Sequence, residues 1–339
     1  MELSSNNNKN TVLVTGASGF IGLNTVKAFL KKGFNVTAMI HNHKSKELEL
    51  LGNTINFVYA DIDNEKSVTK AIENMSFDFV VHVAGIAKDI GNDDLYRKIN
   101  FEPIKYLSKI PKKKFIYISS TDVYGMKDFS GETEDELPFE IKPINPYPKY
   151  KIESEKWLIE NISKDKYVII RPAAVYGDND KTLEKRFVDF LKISPFIIHF
   201  GKNKGKNRWP LANVKNAAKC IVAGCITDVF NGKAINIIDD KYTTMDEYYR
   251  IVAKKYFPNK KYITISLPFY LGKVIGYIST TLSNFLSLKN PIYEPTLYAL
   301  YSVSSNLDFS SDRMQQAVEI YDEYEFSQQN TAYETNINN

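Results

Sequence analysis

A tyrosine and a lysine stand four residues apart, at 147 and 151, in the stretch INPYPKYKIESEKWL that runs from 144 to 158. A phenol titrates near ~10, and an ammonium group close by favours the phenolate, so such a pair can exchange protons with a substrate near neutral pH. The spacing matters only on a helix, where positions four apart share a face. Asn145 suits an N-cap and Pro146 a first helical position, which predicts a helix starting there with Tyr147 and Lys151 one turn apart. With 22 tyrosines in the chain, a chance Tyr-x-x-x-Lys match is cheap, and there is a second one, Tyr256 to Lys260 in YFPNK. There Pro258 falls inside the spacer and works against a shared helical face, so that match is set aside.

The stretch VLVTGASGFIG places Gly16, Gly19 and Gly22 between an apolar strand and the start of a helix. Glycine is needed where a backbone must turn tightly and approach a pyrophosphate closely. Anionic phosphates would then rest on the N–H groups at the helix start, around Phe20 and Ile21. A glycine trio is weak by itself, but its place after the first strand and before the first helix predicts nucleotide binding. The alternative is a tight turn that lets helix and strand pack closely.

These candidates need a scaffold. Short β-branched runs alternate with longer runs of helical period: NTVLVTG, NTVKAFLKKG, NVTAMI, INFVYAD, SVTKAIENM, FDFVVHVAG, a helix near 93–109, KFIYISS, the Tyr147 helix and KYVIIRP. That rhythm predicts an α/β fold, a Rossmann-type doubly wound parallel sheet with a smaller, mostly helical C-terminal substrate region. We expect residues 11–180 and 211–240 in the nucleotide-binding domain. The substrate region would comprise 181–210 and 241–326, with a helix near 183–194 and a basic loop GKNKGKNR, and solvated tails would occupy 1–10 and 327–339. In 339 residues, 43% hydrophobic content supplies a sizeable core, and a net charge of +4 of mixed sign offers no basic field for nucleic acid. Cys220 and Cys225, both in the helical-looking NAAKCIVAGC, leave no disulfide scaffold and no four-ligand zinc site, which fits a reducing, cytoplasmic setting. Residues 263–288 carry Lys273 as their only formal charge, yet a proline, two glycines and many hydroxyl residues favour a buried or lid-forming pair of helices over a membrane span. Peripheral membrane contact through this stretch stays open.

Taken in order, these motifs resemble the extended short-chain dehydrogenases/reductases, also called the NAD-dependent epimerase/dehydratase group. The resemblance covers most of the chain. The Gly-x-x-Gly-x-x-Gly spacing is similar to theirs. YADID resembles their third-strand acidic-apolar pair, which implies that Asp61 and Ile62 flank adenine. HVAG, with Ala84 and Gly85, resembles their fourth-strand turn, YISSTDVYG the strand carrying the catalytic hydroxyl, and RPAAVYG, with Pro172, the loop after the sixth strand. The resemblance implies an enzyme in which Ser120 hydrogen-bonds the substrate oxygen and Tyr147 carries its proton. Lys151 would hold the nicotinamide ribose and lower the phenol's pKa. Thr121 and Asp122 stand where sugar dehydratases of the group carry an acidic pair; only one acid is present, which argues against dehydration. For Asp122 a turn-stabilising and a catalytic reading both remain open.

At the end of the second strand, NAD-preferring relatives place a carboxylate, whereas here Ile40 and His41 occupy those positions, with His43 and Lys44 following. His41 aligns with an arginine of NADP-using relatives, so NADP is expected, with NAD as the alternative. Two histidines are too few for a metal, and none is expected. The helix between Asn100 and Lys114 is about a turn shorter than in relatives that dimerise through it and contains Pro103 and Pro111, which counts against a homodimer of that kind. Ala174 replaces an asparagine that nucleotide-sugar enzymes of the group use, and the C-terminal half resembles the 3β-hydroxysteroid dehydrogenase and dihydroflavonol reductase group. A hydrophobic secondary alcohol or ketone is therefore the expected small-molecule substrate. The basic loop from Lys202 to Arg208 keeps a nucleotide sugar as the alternative, since Arg208 could grip a diphosphate. An NADP-sensing binding protein and a membrane-anchored interaction protein are the non-enzyme alternatives, and neither accounts for a hydroxyl, a phenol and an ammonium falling in register.

Overall fold

The β-branched runs form strands in the computed structural model, which describes residues 9–337 except 179, 181, 182, 240–242, 287, 289, 290 and 292–294, and describes no side chains over 325–337. In chain order the strands are β1 (Thr11–Thr15), β2 (Asn35–Ile40), β3 (Asn56–Tyr59), β4 (Phe79–His82), β5 (Lys114–Ile118), β6 (Tyr167–Pro172), β7 (Ala174–Tyr176), β8 (Phe196–Phe200), β9 (Leu211–Asn213), β10 (Ala234–Ile237) and β11 (Ile263–Leu267). Seven of them make one parallel sheet in the order β10-β6-β5-β4-β1-β2-β3. This is the doubly wound order expected from the alternation, and the reversal beside β1 opens a crevice at the strands' carboxyl ends. Successive residues of a strand face opposite ways, so Val12 and Val14 enter one core layer with Val26, Phe29 and Ile221, while Leu13 enters the other with Met39, Phe115 and Leu158. Burial on both faces explains why these strands read as continuous apolar runs.

The helix carrying the Tyr-Lys pair spans Pro146–Asn161, and the Asn145 side chain accepts from the Tyr147 N–H at 3.0 Å, as the capping rule predicts. The helix expected near 93–109 comes in three joined pieces, Asp93–Tyr96, a π-helical turn Arg97–Phe101, and Glu102–Leu107. Pro103 has no N–H to donate backward, and the π turn just before it absorbs the change of register.

Three expectations need correction. Residues 263–288 do not hold a pair of helices. They begin with β11, which pairs with β8, and continue as one helix, Phe269–Phe285. That helix finds its partner further on, in Leu297–Ser304. A Cβ built on Gly272 would lie 2.6 Å from Leu300 Cδ1, and one on Gly276 would lie 3.0 Å from the Leu297 nitrogen, so the two glycines serve close helix packing. Among the described residues no helix is long and apolar enough to cross a membrane. Second, residues 312–326 lie with the nucleotide-binding layers and not with the substrate region, because Met314, Ala317 and Tyr321 form a stripe that joins the core of the Val214–Ile226 helix. Third, the polar stretch expected as a tail from 327 continues the helix Asp312–Ile337, which meets no proline or glycine along its length. The tail expected over 1–10 lies outside the described residues up to 8. The rest of the expected substrate region has its own core, in which Phe187 packs edge to face on Trp209 and Tyr248 and those two rings tilt against each other, with centroids 4.9–5.5 Å apart.

Candidate active site

The sheet's carboxyl ends and the substrate region enclose a cavity of 1280 Å³. Its floor is the glycine loop. Gly16 adopts φ +65°, and a Cβ there would sit 2.7 Å from the Ala84 nitrogen, so the loop after β1 and the turn after β4 touch backbone to backbone. The Thr15 hydroxyl ties them further by accepting from Val83 and Ala84 N–H groups at 3.2 Å and meeting His82 Nδ1 at 2.8 Å. Burial, with the Lys151 charge nearby, pushes the His82 pKa down to about 3, so this imidazole is neutral. The helix Phe20–Lys31 starts at Gly19 with no side-chain cap, which leaves its first-turn N–H groups beside Phe20 and Ile21 at the cavity without a side-chain acceptor. An anion fits that cradle. Gly22 is a correction: it lies under the loop and not in the cavity lining, and its absent Cβ, which would fall 2.2 Å from the Gly16 carbonyl, permits close helix–loop packing.

Above the loop, Ser120, Thr121, Asp122, Tyr147, Lys151 and Pro172 all line the cavity, although they come from three separate segments. Lys151 is buried and donates to the Ile118 carbonyl at 2.6 Å, and its Nζ lies 5.9 Å from the centre of the Tyr147 ring. Burial brings the lysine's pKa down to about 8 against the pull of Glu155 and Asp122. Burial and then the Asp122 charge raise the Tyr147 pKa, while the nearby Ser120 hydroxyl opposes them. Desolvation here favours the neutral form of both groups, against the lowering that the neighbouring ammonium was expected to give the phenol. Asp122 is also raised by burial, while the Tyr298 hydroxyl, which donates to its Oδ2 at 2.6 Å, works the other way.

Toward the outer end of the sheet, Gly85, Ile40, His41, His43, Asp61 and Ile62 continue the lining. His41 Nε2 lies 3.6 Å from Asp61 Oδ2, and Lys44 packs its ammonium 3.8 Å above the Phe57 ring. Among the described residues no group of three or more potential ligands could hold a metal.

The far half of the cavity is apolar, with Phe187, Phe190, Phe200, Trp209, Leu267 and Ile275 in its wall and Ala174 at its edge. Arg208 is a correction. Neither it nor any other residue of the basic loop lines the cavity; its guanidinium donates to Asp308, and Lys202 pairs with Asp128 at 2.7 Å. Two anchors escaped the sequence reading. Asp89, in the loop after β4, accepts both guanidinium nitrogens of Arg186, at 3.0 and 2.7 Å, and the Thr296 hydroxyl at 2.5 Å, while its carbonyl accepts from Asn145. Tyr298 is the other. No local pattern marks either one, because their partners lie from 56 to 207 residues away in the chain.

The model of the NAD dependent epimerase/dehydratase family matches residues 12–237. The sterol-4-alpha-carboxylate 3-dehydrogenase, decarboxylating, of Candida albicans is 25% identical over 309 residues, covering 84% of this chain and 86% of the relative. A bifunctional UDP-glucose 4-epimerase and UDP-xylose 4-epimerase of Arabidopsis thaliana is 31% identical over 172 residues, covering 45% of this chain and 46% of that one. Among solved structures, gox2253 superposes with a TM-score of 0.71 at 16% identity, covering 92% of this chain and 93% of its own.

Proposed function

Because the chain belongs to the NAD dependent epimerase/dehydratase family, we propose that it is an oxidoreductase acting at a secondary alcohol or ketone on a hydrophobic ring, in the manner of 3β-hydroxysteroid dehydrogenases. The observation that carries the substrate class is the apolar far half of the cavity, since sites for hydrophobic ligands are mostly apolar with few polar anchors. Two facts support it. The sterol dehydrogenase relative aligns over nearly the whole chain, substrate region included, whereas the epimerase relative aligns over less than half. The basic loop that could have gripped a diphosphate is turned to Asp128 and Asp308.

In this reading the glycine loop and the N–H groups near Phe20 and Ile21 hold the cofactor's phosphates, Asp61 and Ile62 flank its adenine, and Pro172 closes the nicotinamide end. The bound nicotinamide supplies or accepts the hydride. Ser120 holds the substrate oxygen by a hydrogen bond, Tyr147 carries that oxygen's proton, and Lys151 turns its ammonium to the ribose. We read the cofactor as NADP(H), with NAD(H) accepted, because no carboxylate stands at 40 or 41 and His41 and His43 both reach the cavity. A ligand that binds only the native state raises apparent stability. Pregnenolone is therefore expected to raise the melting temperature in the presence of NADP+, and UDP-glucose to leave it unchanged. Protection by UDP-glucose with none from pregnenolone would overturn the substrate class.

A further inference from the structure

Oxidising an alcohol in an apolar cavity releases a proton, and that proton needs a way out. Behind the substrate side, four side-chain oxygens follow one another. The Ser120 hydroxyl lies between the Tyr147 phenol and the Asp122 carboxyl in the cavity lining, near enough to influence both, and the Tyr298 hydroxyl donates to Asp122 Oδ2 at 2.6 Å. The Asp122 N–H also donates to Ser120 Oγ at 3.2 Å, which fixes the two residues against each other. Asp122 is part-buried and lines two spaces at once, the main cavity and a separate pocket of 270 Å³ bounded by Gly125, Met126, Glu140, Lys142 and Tyr301. Lys142 is exposed, so this smaller pocket leads outward.

We propose that Asp122, oriented by Tyr298, relays protons between Tyr147 and the outer pocket. The proposal rests on the reading of Tyr147 as proton carrier. In oxidation the C–H hydrogen leaves the carbinol carbon with its electron pair for the oxidised nicotinamide, and the C–O bond becomes a carbonyl. The O–H proton passes to Tyr147 as the phenol's own proton moves to Ser120 and the hydroxyl proton of Ser120 moves to the Asp122 carboxylate. Asp122 then releases one proton to the outer pocket, which balances alcohol plus oxidised cofactor against ketone, reduced cofactor and H⁺. The groups facing Asp122 are Asp89 and Lys151 across the main cavity, Tyr147 and Tyr298 on their two helices, and Glu140 and Lys142 in the outer pocket. Burial raises its pKa, with Asp89 adding to the effect and Tyr298, Ser120 and Lys151 opposing it, which suits a group that must both take up and release a proton.

The test uses the full chain with pregnenolone and NADP+ or NAD+. Asp122→Asn is expected to lower kcat about a hundredfold, the lower end for a positioned proton carrier, to leave KM and NADPH affinity within about twofold, and to remove the acid limb of the kcat–pH profile. Tyr298→Phe, which removes a hydrogen bond that favours the carboxylate, should move that limb to higher pH. Unchanged kcat and an unchanged limb in Asp122→Asn, in an enzyme that Tyr147→Phe silences, would overturn the relay while leaving the proposed function standing. If the wild type oxidises no alcohol, it is the functional reading that fails. The relay is still decided by infrared titration of the cofactor-free protein. A protonated-carboxyl band that is absent in Asp122→Asn and titrates higher in Tyr298→Phe supports it, and a band indifferent to both substitutions contradicts it.

Discussion

At the scale of single residues the site is governed by burial more than by pairing. Lys151 is pushed down to about 8 and Tyr147 upward, so desolvation moves both toward neutrality although they sit one helical turn apart. Capping and helical spacing, which are local, put Tyr147 and Lys151 on one helical face in the chain alone; Ser120 entered through the family resemblance, and the three line one cavity. Tyr298 cannot be found in either way, since its partner Asp122 is 176 residues away and nothing near it announces a role. Cofactor choice also belongs to this scale. No carboxylate stands at 40 or 41, where one would disfavour a ribose phosphate, and His41 Nε2 lies 3.6 Å from Asp61 Oδ2. NADPH is therefore expected to bind more tightly than NADH in a fluorescence titration, and His41→Asp to reverse that order. Tighter NADH binding in the wild type would refute it.

At the scale of elements, positions that satisfy backbone rules could be read directly, and positions that depend on a distant partner could not. The Pro146–Asn161 helix begins where Asn145 and Pro146 place it, and Tyr256–Lys260 fails as a helical pair because its helix stops at Tyr256, before Pro258. For 263–288 apolarity was visible, but the pairing of β11 with β8 and the packing of Gly272 and Gly276 on Leu297–Ser304 depend on segments far away. One face of the helix Phe269–Phe285 stays uncovered: Tyr270, Val274, Tyr277, Ile278 and Phe285 are exposed, with Phe285 at 82%. The basic loop lies beside its start, as the Gly201 N–H donates to the Leu267 carbonyl and Lys204 and Lys206 are exposed. An apolar helical face with adjacent lysines suits the surface of an anionic bilayer. The protein is expected to float with phosphatidylserine vesicles and to float less with neutral ones. Ile278→Asp with Phe285→Asp should abolish flotation without altering NADPH binding. Failure of the wild type to float with either vesicle would refute the contact.

At the scale of the whole molecule, the sheet's carboxyl ends form one wall of the cavity and the later segments an apolar roof, joined by a few buried polar anchors. Asp89 is the chief one, holding Arg186 on the roof's first helix, Thr296 at the start of its last, and the Asn145 cap of the Tyr147 helix. The alternation of strands and helices made the sheet legible, because a parallel sheet buried on both faces leaves continuous apolar runs in the chain. The roof was legible only as apolar sequence, since which helix meets which is decided by tertiary packing. Hydride transfer that depends on Tyr147 is tested most directly by the formation of reduced nicotinamide when purified protein meets NADP+ or NAD+ and pregnenolone. The wild type is expected to reduce the cofactor, and Tyr147→Phe to lose roughly 10²–10⁴-fold of that rate, the span for a general acid or base, while binding NADPH as tightly as before. A Tyr147→Phe protein that turns over near the wild-type rate would contradict it.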